Sequence, residues 1–234
     1  MKGNTHFADP DVVHTMKPVL IFFIMCLSYQ TIGHAPATAQ FPDKILFKGK
    51  EFDLQSNPLE GYFKNNPELR PKGGLQSTAL WRGYVATFEM VKEQLVVKDI
   101  KIKVLDEQTK ERYDKKWVSV YDEVFAEPLR KADWYSGILI LPYGERINYV
   151  HMGYASTYSD YWLLEIANGK LTETRNYDHQ EFAEFRERQL NAYMKTDEYK
   201  ALFDRLKNPG DDEASVRRFI KNYVTDYATT FLDQ

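Results

Sequence analysis

The run Tyr149-Val150-His151-Met152-Gly153-Tyr154, continued by Tyr158, Asp160, Tyr161 and Trp162, holds the densest polar and aromatic chemistry in the chain. It combines an imidazole that titrates near neutrality, a carboxylate and several phenols. His151 is therefore a candidate general base or ligand-orienting donor, with Asp160 holding its tautomer. The competing reading is a half-buried strand histidine bonded to backbone, with the tyrosines covering a sheet surface, because aromatic residues are ordinary strand formers. As a recognition surface the cluster would rely on Tyr154 and Tyr158, since large aromatics dominate binding energy.

Arg82 is the second candidate. It shares the apolar face of an expected strand with Leu80 and Tyr84. There it must pair with an acid, reach out at the sheet end, or capture an anion with Trp81 and Tyr84 around it. Glu89 and Asp99 fall diagonally across the same expected hairpin, with about 7 to 8 Å between backbones. That is within broad reach of the carboxylate separations used in glycoside hydrolysis. Lys101 beside them makes a solvated charged face the simpler reading.

Other chemistries find no support. The single cysteine, Cys26, lies in an N-terminal apolar run, and His6, His14 and His34 also precede residue 40. If residues 1–39 are removed, thiol catalysis and a three-histidine zinc site go with them. No serine sits in a Gly-x-Ser-x-Gly elbow and no glycine-rich phosphate cradle is present. Asp211-Asp212-Glu213 lacks the alternating spacing of a calcium loop and reads as favourable charge at a helix N-terminus. No cofactor or metal is expected. A formal net charge of −3 argues against nucleic acid and anionic membrane surfaces as partners.

Lys17, the apolar run 18–29 and the small residues Ala37 and Ala39 have the form of an export signal cleaved before Gln40. The run is shorter than the ~20 residues that span a bilayer, so no stable membrane span is expected after cleavage. The expected location is extracytoplasmic, periplasmic or secreted. Without disulfides, stability there must come from a packed core.

The elements that must hold these side chains divide into two. Residues 40–177 are β-branched and aromatic with turn signals between them, and residues 178–234 switch to helical spacing. Hairpins are expected around Lys48-Gly49-Lys50, around a three-residue turn Lys92-Glu93-Gln94 that pairs Val91 with Leu95, and at Asn168-Gly169. In that second hairpin Val96 falls on the apolar face and Val97 on the charged one. A short helix starts near Pro58 and stops at Asn66-Pro67. Residues 117–125 fit strand or helix equally. Trp134 to Leu141 reads as a strand stopped by Pro142-Tyr143-Gly144, and Asn148 to Ala155 as another. Asp178 with Glu181 forms a capping box for a helix that turns Phe182, Phe185, Leu190 and Tyr193 inward. A second helix follows from Thr196 to Asn208. The last carries Val216, Phe219, Ile220, Tyr223, Val224, Tyr227 and Phe231 as one stripe to be buried on the preceding helix and sheet.

The segments 80–89, 95–100 and 149–154 resemble a group of uncharacterised bacterial proteins across roughly residues 45–171. The resemblance implies a bacterial origin and a fold, and assigns no activity or functional residue. The expected fold is α+β: an antiparallel β-rich domain, sandwich or partly closed barrel, with a C-terminal helical segment packed on it. The expected function is non-catalytic binding of a small molecule or a protein partner through Arg82, His151, Tyr154, Tyr158 and Asp160. The alternative is a secreted hydrolase using His151 or the carboxylate pair.

Overall fold

Asp43–Phe47 (β1) and Lys50–Leu54 (β2) form the first hairpin of the computed structural model, which describes residues 38–107, 114–128 and 130–233. The export signal lies almost wholly outside the described residues, as does most of the charged segment 106–116. Lys48 and Gly49 both take positive φ, 51° and 75°, the turn whose twist matches the flanking strands. Pro58–Asn65 (α1) follows, with its proline in the first turn, where no N–H is needed. The chain then crosses over to Tyr84–Val91 (β3), which lies parallel to β1. Only a crossover of this length makes a parallel pair, so the sheet is mostly rather than wholly antiparallel.

β3 pairs with Gln94–Leu105 (β4) through a two-residue turn, not the expected three, and Val91 meets Gln94. A bulge at Lys98 takes up the difference, so Thr87 still faces Asp99 and Tyr84 still faces Ile102. The bulge turns Val97 into the core, fully buried beside Phe88, instead of onto the charged face. Lys115–Ser119 (β5) and the short Arg130–Lys131 (β6) also pair with β4. The ambiguous 117–125 stretch contains both structures, since one helical turn, Tyr121–Val124 (α2), follows β5 directly.

Gly137–Asn148 (β7), Thr157–Ala167 (β8) and Lys170–Asp178 (β9) complete an open nine-stranded sheet in which seven strands run in the order β2-β1-β3-β4-β9-β8-β7 and β5 and β6 branch from β4. β4 touches β9 at a single bridge, Gln94 to Lys170, between hairpin tips. There the Leu95 N–H donates to the Gly169 carbonyl at 2.8 Å, and a Cβ on Gly169 would sit 2.7 Å from the Ala132 carbonyl, so only glycine fits. At the other end, the Gln55 N–H donates to Ile140 O at 2.9 Å and draws β2 toward β7. Pro142 does not stop β7. Ile140 directs its carbonyl away from β8 and Pro142, two residues on, points the same way, so its missing N–H costs no ladder bond. The strand expected at 148–155 is instead a loop that links β7 to β8.

Both faces of the β7–β8 pair are buried. Leu139, Leu141, Leu164 and Ile166 join the β-core with Ile45, Tyr84 and Phe88, whereas Ile138, Ile140, Tyr161 and Leu163 meet Phe182 and Phe185 of His179–Tyr193 (α3). Asp178 caps α3 as expected: its Oδ1 accepts from Glu181 N–H at 2.8 Å, and Glu181 accepts from Asp178 N–H at 2.9 Å. Asp197–Leu206 (α4) is capped by Thr196 and Glu213–Asn222 (α5) by Asp212. The last stripe is not one helix. It breaks at Tyr223, where φ is −119°, before Val224–Tyr227 (α6). Among the described residues no helix is long and apolar enough to cross a membrane.

The break at Tyr223 changes which stripe residues are buried. Ile220 and Val224 are fully buried, whereas Phe219, expected inside, is 45% exposed and touches the Tyr223 ring. Urea unfolding of Ile220→Ala is expected to show a loss of about 2 to 5 kcal/mol, from lost transfer energy and a cavity. Phe219→Ala is expected to cost about 1 kcal/mol or less.

Candidate functional site

Arg82 is not on a strand. It lies in the turn before β3, only 2% exposed, and its guanidinium is shared out among protein groups. Nη2 donates to Phe41 O at 2.9 Å and to Asp43 Oδ1 at 3.1 Å, and Nη1 donates to the Tyr154 hydroxyl at 2.9 Å. Asp43, fully buried, also accepts from Ala86 N–H at 2.9 Å. Burial outweighs Arg82 and that amide and pushes the Asp43 carboxyl up to about 6, so it is ionised at neutral pH. Burial opposes the Arg82 charge as well, but Asp43 and Tyr154 outweigh it and hold Arg82 above its ordinary range. Of the three fates open to Arg82, pairing with an acid is the one realised.

Tyr154 belongs to the same network. Its hydroxyl accepts from Arg82 and donates to Asn57 Oδ1 at 2.9 Å, and burial pushes the phenol up to about 12. The 149–156 loop is thereby tied to the ion pair and to the start of α1. It is tied a second time by Gln40 N–H, which donates to Gly153 O at 3.2 Å.

The rest of the polar run disperses. His151 is exposed and its Nδ1 bonds the Tyr149 hydroxyl at 2.7 Å. Asp160 accepts from the Ser159 hydroxyl at 2.6 Å, and no bond joins it to His151 among the described residues. Tyr158 packs edge-on against Tyr161, and its N–H donates to the Tyr161 hydroxyl at 2.8 Å. Of the carboxylate pair, Asp99 faces Thr87 as expected, and Glu89, two residues beyond Thr87, faces Val96. Glu89 then pairs with Lys98 at 3.0 Å, and Asp99 accepts from the Ser119 hydroxyl at 2.6 Å. Among the described residues no group of three or more His, Cys, Asp or Glu is placed to hold a metal ion.

What the structure does assemble is a cleft of about 300 Å³ beside Tyr154. Met152 and Tyr154 to Thr157 form one wall, Asn222, Tyr223, Thr225 and Asp226 at the α5–α6 break another, and Tyr161, Phe182 and Arg186 the floor. Neither Arg186 nor Asp226 was conspicuous in the sequence. Arg186 sits one turn beyond Phe182 on α3, its guanidinium 5.0 Å from that ring, and burial lowers its pKa. Asp226 reaches water at the cleft margin, yet the surrounding protein pushes its carboxyl up to about 6. The helical period alone places Arg186 on the margin of the Phe182–Phe185 face, a signal shared by many solvated arginines.

Asp43→Ala and Arg82→Ala are each expected to destabilise by about 3 to 5 kcal/mol, because each leaves a buried charge without its partner. The double variant is expected to cost clearly less than the sum. Additive losses in a denaturation cycle would show that the two charges do not interact. No family model, curated protein or solved structure matches this chain, which leaves the cleft's own geometry as the ground for its function.

Proposed function

We propose that this chain is an exported, non-catalytic binding domain whose small-molecule ligand seats in the cleft between the 149–156 loop and the α5–α6 break. The observation that carries this reading is the cleft itself: a concave site with aromatic floor residues and a few convergent polar groups. Tyr154, held by Arg82 and Asn57, fixes one wall of it. Neither His151 nor His179 lines it, so an imidazole acid-base step has no place there. The polar groups that do line it are suited to orienting a ligand.

Export rests on the N-terminal run. Cleavage before Gln40 would leave the new amino group beside the Gly153 carbonyl, next to the cleft wall. Mass spectrometry of the exported protein is expected to find Gln40 at the N-terminus. Retention of residues 18–29 in a membrane fraction would refute it.

Ala155 lines the cleft, so Ala155→Trp is expected to fill it. In a thermal-shift screen of small organic compounds, compounds that stabilise the parent should lose their effect at least tenfold in potency in that variant. Turnover of a hydrolase substrate that His151→Gln abolishes would instead establish an enzyme.

A further inference from the structure

Arg186 is the one cation among the residues that line the cleft. No ion pair or hydrogen bond engages its guanidinium among the described residues, and its Nε is buried without a partner. Its acidic neighbour on α3, Glu187, is already bound to Lys221. Asp226 lines the same cleft, but no ion pair joins the two. A buried donor left unmade costs free energy, so native structures rarely keep one unless water or a ligand completes it. Arg82 shares an unpartnered Nε but differs at its terminal nitrogens, which Asp43, Phe41 O and Tyr154 hold within the fold.

We propose, resting on the binding reading above, that the cleft takes an organic carboxylate with an apolar body, and that Arg186 is the residue that holds the carboxylate. A guanidinium presents paired donors that match a carboxylate in its plane, and such charge-assisted bonds are about twice as strong as neutral ones. Ile140, Met152 and Phe182 line the space beside it and supply apolar contact for the rest of the ligand. The cleft selects against phosphate. It offers one guanidinium, no glycine-rich loop and no second cation among its lining residues, and Asp226 adds a negative charge that a dianion would meet.

The test is a titration of the nitrogen-15-labelled protein, followed by NMR through its backbone amides and the Arg186 Nε–H. The probes are phenylacetate, its neutral isostere phenylacetamide, and inorganic phosphate. Phenylacetate is expected to shift the Arg186 Nε–H and the amides of the 152–156 loop saturably, and to bind at least tenfold more tightly than phenylacetamide. That comparison needs no variant. Arg186→Gln, checked by an otherwise unchanged amide spectrum, is expected to bring phenylacetate down to the phenylacetamide level, and Arg186→Lys to restore part of the difference. Equal binding of phenylacetate and phenylacetamide would overturn the assignment while leaving a binding cleft in place. Binding of phosphate without phenylacetate would overturn the ligand class. No shift of any cleft resonance with all three probes would overturn this proposal and the binding reading together.

Discussion

Four consecutive apolar residues, Ile138 to Leu141, send alternate side chains into two different cores, and the architecture follows from that constraint. A strand covered on one side alternates apolar with polar residues, whereas one covered on both reads as a continuous apolar run. Leu139 and Leu141 close the β-core, and Ile138 and Ile140 demand a second cover, which α3 and Phe231 provide. The helices are therefore not an appendage. Without them the outer face of β7 and β8 would stand in water.

The C-terminal tail is held onto this second layer by polar contacts of matching geometry. The fully buried Gln189 donates its amide to Thr230 O at 2.7 Å and accepts from Leu232 N–H at 2.8 Å, so one side chain stands in for a strand partner. Arg175 pairs with Asp233 at 2.5 Å and stacks 4.0 Å from the Phe231 ring. These contacts keep Phe231 over Phe185. The cleft opens at the nearby edge of the same layer, where the α5–α6 break leaves a gap beside the 149–156 loop.

Two arginines differ in how the fold engages their charge. Arg82 and Asp43 are taken wholly out of water, a cost of several kcal/mol per ion that only close pairing and further hydrogen bonds offset. Their network joins the segment before β1, the turn before β3 and the loop after β7, and so it positions the cleft wall. Arg186, half-buried against an aromatic ring, has its charge available.

The sequence by itself determined what a few neighbouring residues decide. The Asp178–Glu181 capping box, the Asn168-Gly169 and Lys48-Gly49 turns and the inward face of α3 were all legible there, because caps, positive φ and helical period act within one or two turns of chain. The α+β order was legible for the same reason. Tertiary structure alone decided the bulge at Lys98, the extension of β7 through Pro142 and the break at Tyr223, since each depends on what lies across the sheet or under the helix. It also decided which charges are balanced. Asp43 lies 39 residues from Arg82, and the cleft draws on segments from Gln55 to Asp226. Local pattern carries no information about which distant side chain will arrive beside a charge, because that is set by how the two cores close.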